Sequence, residues 1–153
     1  ADNPMINLWV YGHSADEKIK GQTEMIEYYS PTMQDRPFAM GGMSARYENR
    51  DGNAIIASAQ RVKAESDNNA NKLMIVLSDG QPSADLYRGS RGIEHTAKAV
   101  KFAESRGWSV IQVGFAGASE HYMSQMFTNH IYVNDVDTLG DNLSKIIRKV
   151  VKV

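Results

Sequence analysis

Between Lys72 and Val150 the chain alternates continuous apolar runs with segments of helical period, and this alternation restricts the fold more than any other feature. Lys72–Ser78 and Ser109–Phe115 read as strands, and their cores Leu73-Met74-Ile75-Val76-Leu77 and Val110-Ile111-Gln112-Val113 are the continuous apolar runs expected in a sheet covered on both faces. Between them, Ile93, Ala97, Val100 and Ala103 recur at helical spacing over 90–106, and Gly107 stands where a left-handed residue stops a helix. Ile55, Ala59 and Val62 give a similar helix over 51–64. His130–Val133 reads as a further strand, and 119–128 as a short Met-rich helix. At the C-terminal end, Leu139, Leu143, Ile146 and Val150 mark one face of a helix that Asp137 is expected to cap. Lys145, Arg148, Lys149 and Lys152 form its solvated basic side near the negative end of the dipole. The expected fold class is α/β: a three-layer, doubly wound, mainly parallel sheet with helices on both faces, joined by right-handed crossovers. In such sheets ligands gather at the carboxyl ends of the strands.

The N-terminal part is less regular. Ile6–Tyr11 reads as a strand closed by Gly12-His13-Ser14, and Thr23–Tyr29 as an adjacent strand expected to run antiparallel to it. Pro31–Arg46, with Met33, Met40 and Met43, reads as a long loop, and Asp67–Asn71 as a polar turn. The 153 residues suit one domain. With 17 basic against 18 acidic side chains there is no global field to draw in nucleic acid. No apolar run is long enough to span a bilayer, so no membrane partner is expected. The chain has no cysteine, which excludes disulfides, thiolate metal sites and cysteine nucleophiles.

Two carboxylate loops carry the chemistry. The strand Leu73–Leu77 runs into Ser78-Asp79-Gly80, which holds Asp79 at the carboxyl edge of the sheet, where hard cations find oxygen ligands. Asp-Gly is also simply a good turn pair. Upstream, Glu48-Asn49-Arg50-Asp51-Gly52 opens a helix, and Asp51 either caps that helix or converges with Asp79 on the same edge. His13, His95, His121 and His130 lack ligand spacing and read as surface or packing residues, although His121 follows the Val110–Val113 strand and can approach the same edge. Ser78 has neither a nucleophile elbow nor a placed His-Asp pair, and no phosphate-binding glycine motif occurs.

Tyr47-Glu48-Asn49-Arg50-Asp51-Gly52-Asn53-Ala54-Ile55, then Leu73 to Pro82 with Ser78-Asp79-Gly80, then Trp108 to Phe115, resemble the von Willebrand factor A (VWA) family. The similarity is greatest to its intracellular branch represented by the CobT-type cobaltochelatase subunit. The resemblance implies a metal-ion-dependent adhesion site, in which a divalent cation accepts a carboxylate from a protein partner. Asp79 matches the third-loop aspartate, and Asp51 stands at the second-loop ligand position. Ser78, Glu48, Asn49, Gly80 and His121 are the implied supporting or partner-contact residues. The family's first loop, Asp-x-Ser-x-Ser, does not occur in this sequence. Ile6–Tyr11 resembles the family's second strand, so the chain is expected to lack the central first strand, its metal loop and the first helix. That strand would come from a cleaved N-terminal portion, a second chain or a symmetry-related swap; alternatively 6–11 and 73–77 pair directly in a reduced domain.

These features lead to the expectation of a cytoplasmic binding module and not an enzyme. It would hold Mg²⁺ (or Mn²⁺ or Ca²⁺) through Asp79 and Asp51, weakly or not at all in the isolated chain, and engage a partner's acidic side chain. The resemblance suggests an AAA+ ATPase of the MoxR or chelatase kind. The rivals are a metal-assisted hydrolase or phosphoryl-transfer domain with His121 or Glu48 as base, and a purely structural VWA-like subunit.

Overall fold

The computed structural model describes residues 6–15, 22–33, 37–44, 46–66, 70–115 and 117–151. In chain order it contains β1 (Val10–Ala15), β2 (Thr23–Tyr29), a 3-10 turn (Pro37–Gly42), α1 (Asp51–Glu65), β3 (Lys72–Ser78), α2 (Ser90–Glu104), β4 (Trp108–Gly114), α3 (Glu120–Met126), β5 (Asn129–Tyr132), a second 3-10 turn (Val136–Thr138) and α4 (Leu139–Val151). No helix among the described residues is long and apolar enough to cross a membrane.

The fold is α/β, built on a parallel sheet of order β3-β4-β5. β4 lies in the middle, and Val110 and Val113 have no exposed surface. Because side chains alternate across a strand, the two apolar faces separate. Val110 packs with Ile55, Ala59 and Val62 of α1, with Ala99, Val100 and Ala103 of α2, and with Met126 and Phe127. Ile111 and Val113 pack instead with Val133 and with Ile146 of α4, joined by Leu139 and Leu143. The continuous apolar run 110–113 is therefore used on both faces.

β1 and β2 form a separate antiparallel pair, with Gly12 opposite Ile26 and His13 opposite Met25. Among the described residues the direct pairing of the first strand with 73–77 does not occur: β1 bonds to β2, and β3 bonds to β4. Both pairs nevertheless rest on one helical cluster, since Trp9 and Tyr11 from the β1 side and Met74 and Val76 from β3 pack against it. β3 is thus an edge strand with an apolar sequence, and its Leu77 is 52% exposed.

Most boundaries move by one or two residues, and three readings change in kind. The first strand covers 10–15 and not 6–11, because Gly12-His13-Ser14 stays in the ladder instead of turning. Gly12 is needed there as a small residue: a Cβ would stand 2.7 Å from the Tyr28 ring across the ladder. Asp137 does not cap the last helix. It lies inside a 3-10 turn whose N–H donor, on Asp137 itself, is taken by the Asp135 carboxylate, and α4 starts at Leu139. Part of the expected long loop, Pro37–Gly42, is a 3-10 turn. The expected polar turn falls largely on 67–69, outside the described residues, as do the side chains of Lys149, Val150 and Lys152.

Candidate functional site

The carboxyl ends of β1 and β3 meet the start of α1 through two zipped loops. Ala15 N–H donates to Glu48 O at 2.6 Å and Glu48 N–H returns to Ala15 O at 3.2 Å, which ties β1 to the segment before α1. Asn49 continues the zipper: its N–H donates to Ser83 O at 2.9 Å, its amide nitrogen donates to Gln81 O at 3.2 Å, and its amide oxygen accepts from Ser83 N–H. The Glu48 carboxylate accepts from Asp85 N–H at 2.7 Å and pairs with Arg88 at 2.9 Å. Glu48 and Asn49 thus hold the loop before α1 against the loop after β3.

That zipper brings Asp51 and Asp79 to one edge. Asp51 is the first residue of α1, and its side chain is 2% exposed. It makes no capping bond: Oδ2 has no partner, and Oδ1 stands 3.5 Å from His13 Nε2. Burial, with a smaller contribution from the Asp79 charge, pushes its carboxyl up to about 6. A carboxylate taken out of water without hydrogen bonds is costly, so the residue is held against its own solvation. Asp79 follows β3 and is exposed. Gly80 turns the chain behind it with φ of 103°, where an added Cβ would stand 2.9 Å from Ala118 Cβ. Ser78 is buried and its Oγ accepts the Gly80 N–H at 3.0 Å, so it shapes the turn.

Tyr87 secures the first turn of α1. Its hydroxyl accepts the Gly52 N–H at 3.2 Å and lies 2.6 Å from His95 Nδ1 and 3.3 Å from Thr96 Oγ1. The Arg50 guanidinium sits over the ring, 5.1 Å from its centre. Burial chiefly raises the Tyr87 pKa, so the phenol stays protonated. His95 is accordingly a packing partner of Tyr87. His121 is exposed on α3, where its ring meets Gln125 at 2.8 Å and leans on Tyr122; these side-chain partners lie on its own helix.

His13 was not singled out by spacing, yet its Nε2 stands 3.5 Å from the Asp51 carboxylate. It lies between Tyr11 and Ala15 on the face of β1 that packs toward the helices, and burial lowers its pKa. The signal was the alternation along β1, hidden while Gly12-His13-Ser14 read as a turn. Among the described residues no three His, Asp or Glu side chains come together closely enough to hold an ion by themselves. Beside the edge lies an open pocket of about 590 Å³ lined by Glu48, Asp85, Leu86, Arg88 and Arg91. Leu86 is 65% exposed there, with φ of 56°.

No family model matches the chain. It is 34% identical over 155 residues to YojO of Bacillus subtilis (strain 168), an uncharacterized protein, and the match covers 95% of this chain and 24% of that protein. The chain therefore spans about a quarter of the length of the curated relative it matches.

Proposed function

We propose that this chain is a cytoplasmic, divalent-cation-dependent protein-binding module of VWA type, with Asp51 and Asp79 as its oxygen donors. The observation that carries this is the Asp51 carboxylate, buried to 2% exposure with Oδ2 unpartnered beside a second carboxylate. A group in that state gains when a cation takes the place of the water it has lost. Mg²⁺, or Mn²⁺ or Ca²⁺, would lie between Asp51 and the exposed Asp79 and supply a position for an acidic side chain of a partner, an AAA+ ATPase being the class the resemblance suggests. Exposed Leu86 and Tyr47 flank the edge and offer apolar contact to such a partner.

The same proposal gives the architecture its finer form: a three-layer, doubly wound domain whose central strand enters between β1 and β3 and adds the remaining metal donors. Supporting this are the β1-β2 pair and the β3-β4-β5 sheet, left unjoined among the described residues over one helical cluster. The candidate bases of a metal-assisted hydrolase are engaged otherwise, Glu48 by Arg88 and the Asp85 N–H, and His121 on its own helix.

Calorimetric titration of the chain with Mg²⁺ and Mn²⁺ tests the proposal. Binding weaker than micromolar that disappears in both Asp51→Asn and Asp79→Asn is expected. Equal binding by the variants would overturn the assignment, and binding tighter than micromolar would show that no further loop is needed.

A further inference from the structure

We infer that His13 is a nitrogen ligand of the cation at this edge, which makes the site a mixed nitrogen and oxygen centre suited to a transition-metal dication. The inference rests on the cation site proposed above and goes beyond it, since the sequence led to an all-oxygen site. His13 Nε2 and Asp51 Oδ1 are 3.5 Å apart. That is longer than the roughly 2.7–3.2 Å of an N–H···O hydrogen bond. It falls in the range of an ion pair and also matches two atoms bound to one ion, since donors about 2.1 Å from a tetrahedral centre lie about 3.4 Å from each other.

Three further observations point the same way. Asp51 Oδ2 has no partner although the side chain is 98% buried by its 2% exposure, so the carboxylate is not satisfied from within the protein. His13 Nδ1 is also buried without a partner, so no competing bond turns the ring away from Asp51. The two side chains come from rigid elements, a ladder residue of β1 and the first residue of α1, which fixes their bite. Imidazole favours Co²⁺, Ni²⁺ and Zn²⁺ over Mg²⁺ and Ca²⁺, which prefer oxygen throughout. The pair therefore selects the former class, with water filling the remaining positions and Asp79 acting through that water.

Co²⁺ is the probe, added to the 153-residue chain and followed by visible absorption, by calorimetry and by proton NMR of hyperfine-shifted ring N–H signals. The expected result is Co²⁺ binding at least about tenfold tighter than Mg²⁺, with one shifted, exchangeable ring N–H from a histidine bound through Nε2. His13→Gln, checked for folding by circular dichroism, should remove that signal and weaken Co²⁺ about tenfold or more while changing Mg²⁺ little. Should Asp51→Asn abolish Co²⁺ binding while His13→Gln leaves affinity and signal intact, the nitrogen ligand is overturned and the carboxylate site stands. Should Asp51→Asn leave Co²⁺ binding unchanged, or should no cation bind at millimolar concentration, both fall together.

Discussion

Asp51 concentrates the tension of this molecule in one carboxyl group. In the fold it titrates near 6, against 3.8 for the ordinary side chain, a difference worth about 3 kcal/mol. The folded state prefers the protonated form. This group's contribution to stability is thus complete below 3.8, is lost as pH rises through about 6, and leaves the folded chain penalised at neutral pH. His13 works in the opposite sense: burial lowers its pKa from 6.5, so its contribution is present above 6.5 and is lost as pH falls through the lowered value. Asp51→Asn should therefore raise stability at neutral pH by about 1–3 kcal/mol and remove the Asp51 part of the pH dependence between 3.8 and about 6. Chemical denaturation of both proteins across that range measures it, and the same comparison in a His13→Gln background separates the contribution of the neighbouring imidazole. A less stable variant at neutral pH would mean that the carboxylate has compensation in the fold after all.

At the scale of elements, the approach of α1 to α2 depends on Gly52. A Cβ there would run into the His95 ring and stand 2.7 Å from the Tyr87 hydroxyl, which two other groups, on His95 and Thr96, hold in place. Alanine gains up to about 1 kcal/mol in helix propensity but loses about 1–3 kcal/mol by overpacking, so Gly52→Ala should be net destabilising and should displace Tyr87. Gly140 in α4 has nothing within 4 Å of its would-be Cβ, and Gly140→Ala should stabilise by about 0.5–1 kcal/mol. Thermal melts of the two variants should shift in opposite directions. Elements of this kind were legible where one periodicity ran unbroken: β3 and β2 have the boundaries read from the sequence, and α1 extends one residue further. β1 was displaced because glycine signals a turn locally, whereas here it makes room for Tyr28 across the ladder. The same local signal hid His13. The carboxylates were legible because each precedes a glycine at an element boundary. Tyr87 was not, because its anchoring of Gly52 spans 35 residues and leaves no local pattern.

The whole molecule is limited by what joins its two strand pairs. Among the described residues β1-β2 and β3-β4-β5 share a helical cluster but no ladder. β3 has an apolar sequence and, among the described residues, one bonded neighbour, and its side chains are half-buried up to Leu77, which is largely exposed. A long apolar strand with a free edge pairs readily with any strand presented to it. In a parallel ladder, alternate N–H groups point to opposite neighbours, so about half of the β3 amides face β4 and the rest face the free edge. Hydrogen exchange on the 153-residue chain should therefore show an alternating pattern along Lys72–Ser78, fast at the free edge and slow toward β4. In β4, bonded on both sides over Ile111–Gly114, protection should be uniform there. A strand entering between β1 and β3 would convert the fast β3 amides to slow ones, and would bring the metal donors of its own loop to Asp51 and Asp79. The chain alone should also self-associate with rising concentration, because edge pairing between copies is the nearest substitute for that strand. A concentration-independent monomer with every β3 amide as protected as those of β4 would show that the chain closes its own sheet, and the inserted strand would have to be abandoned.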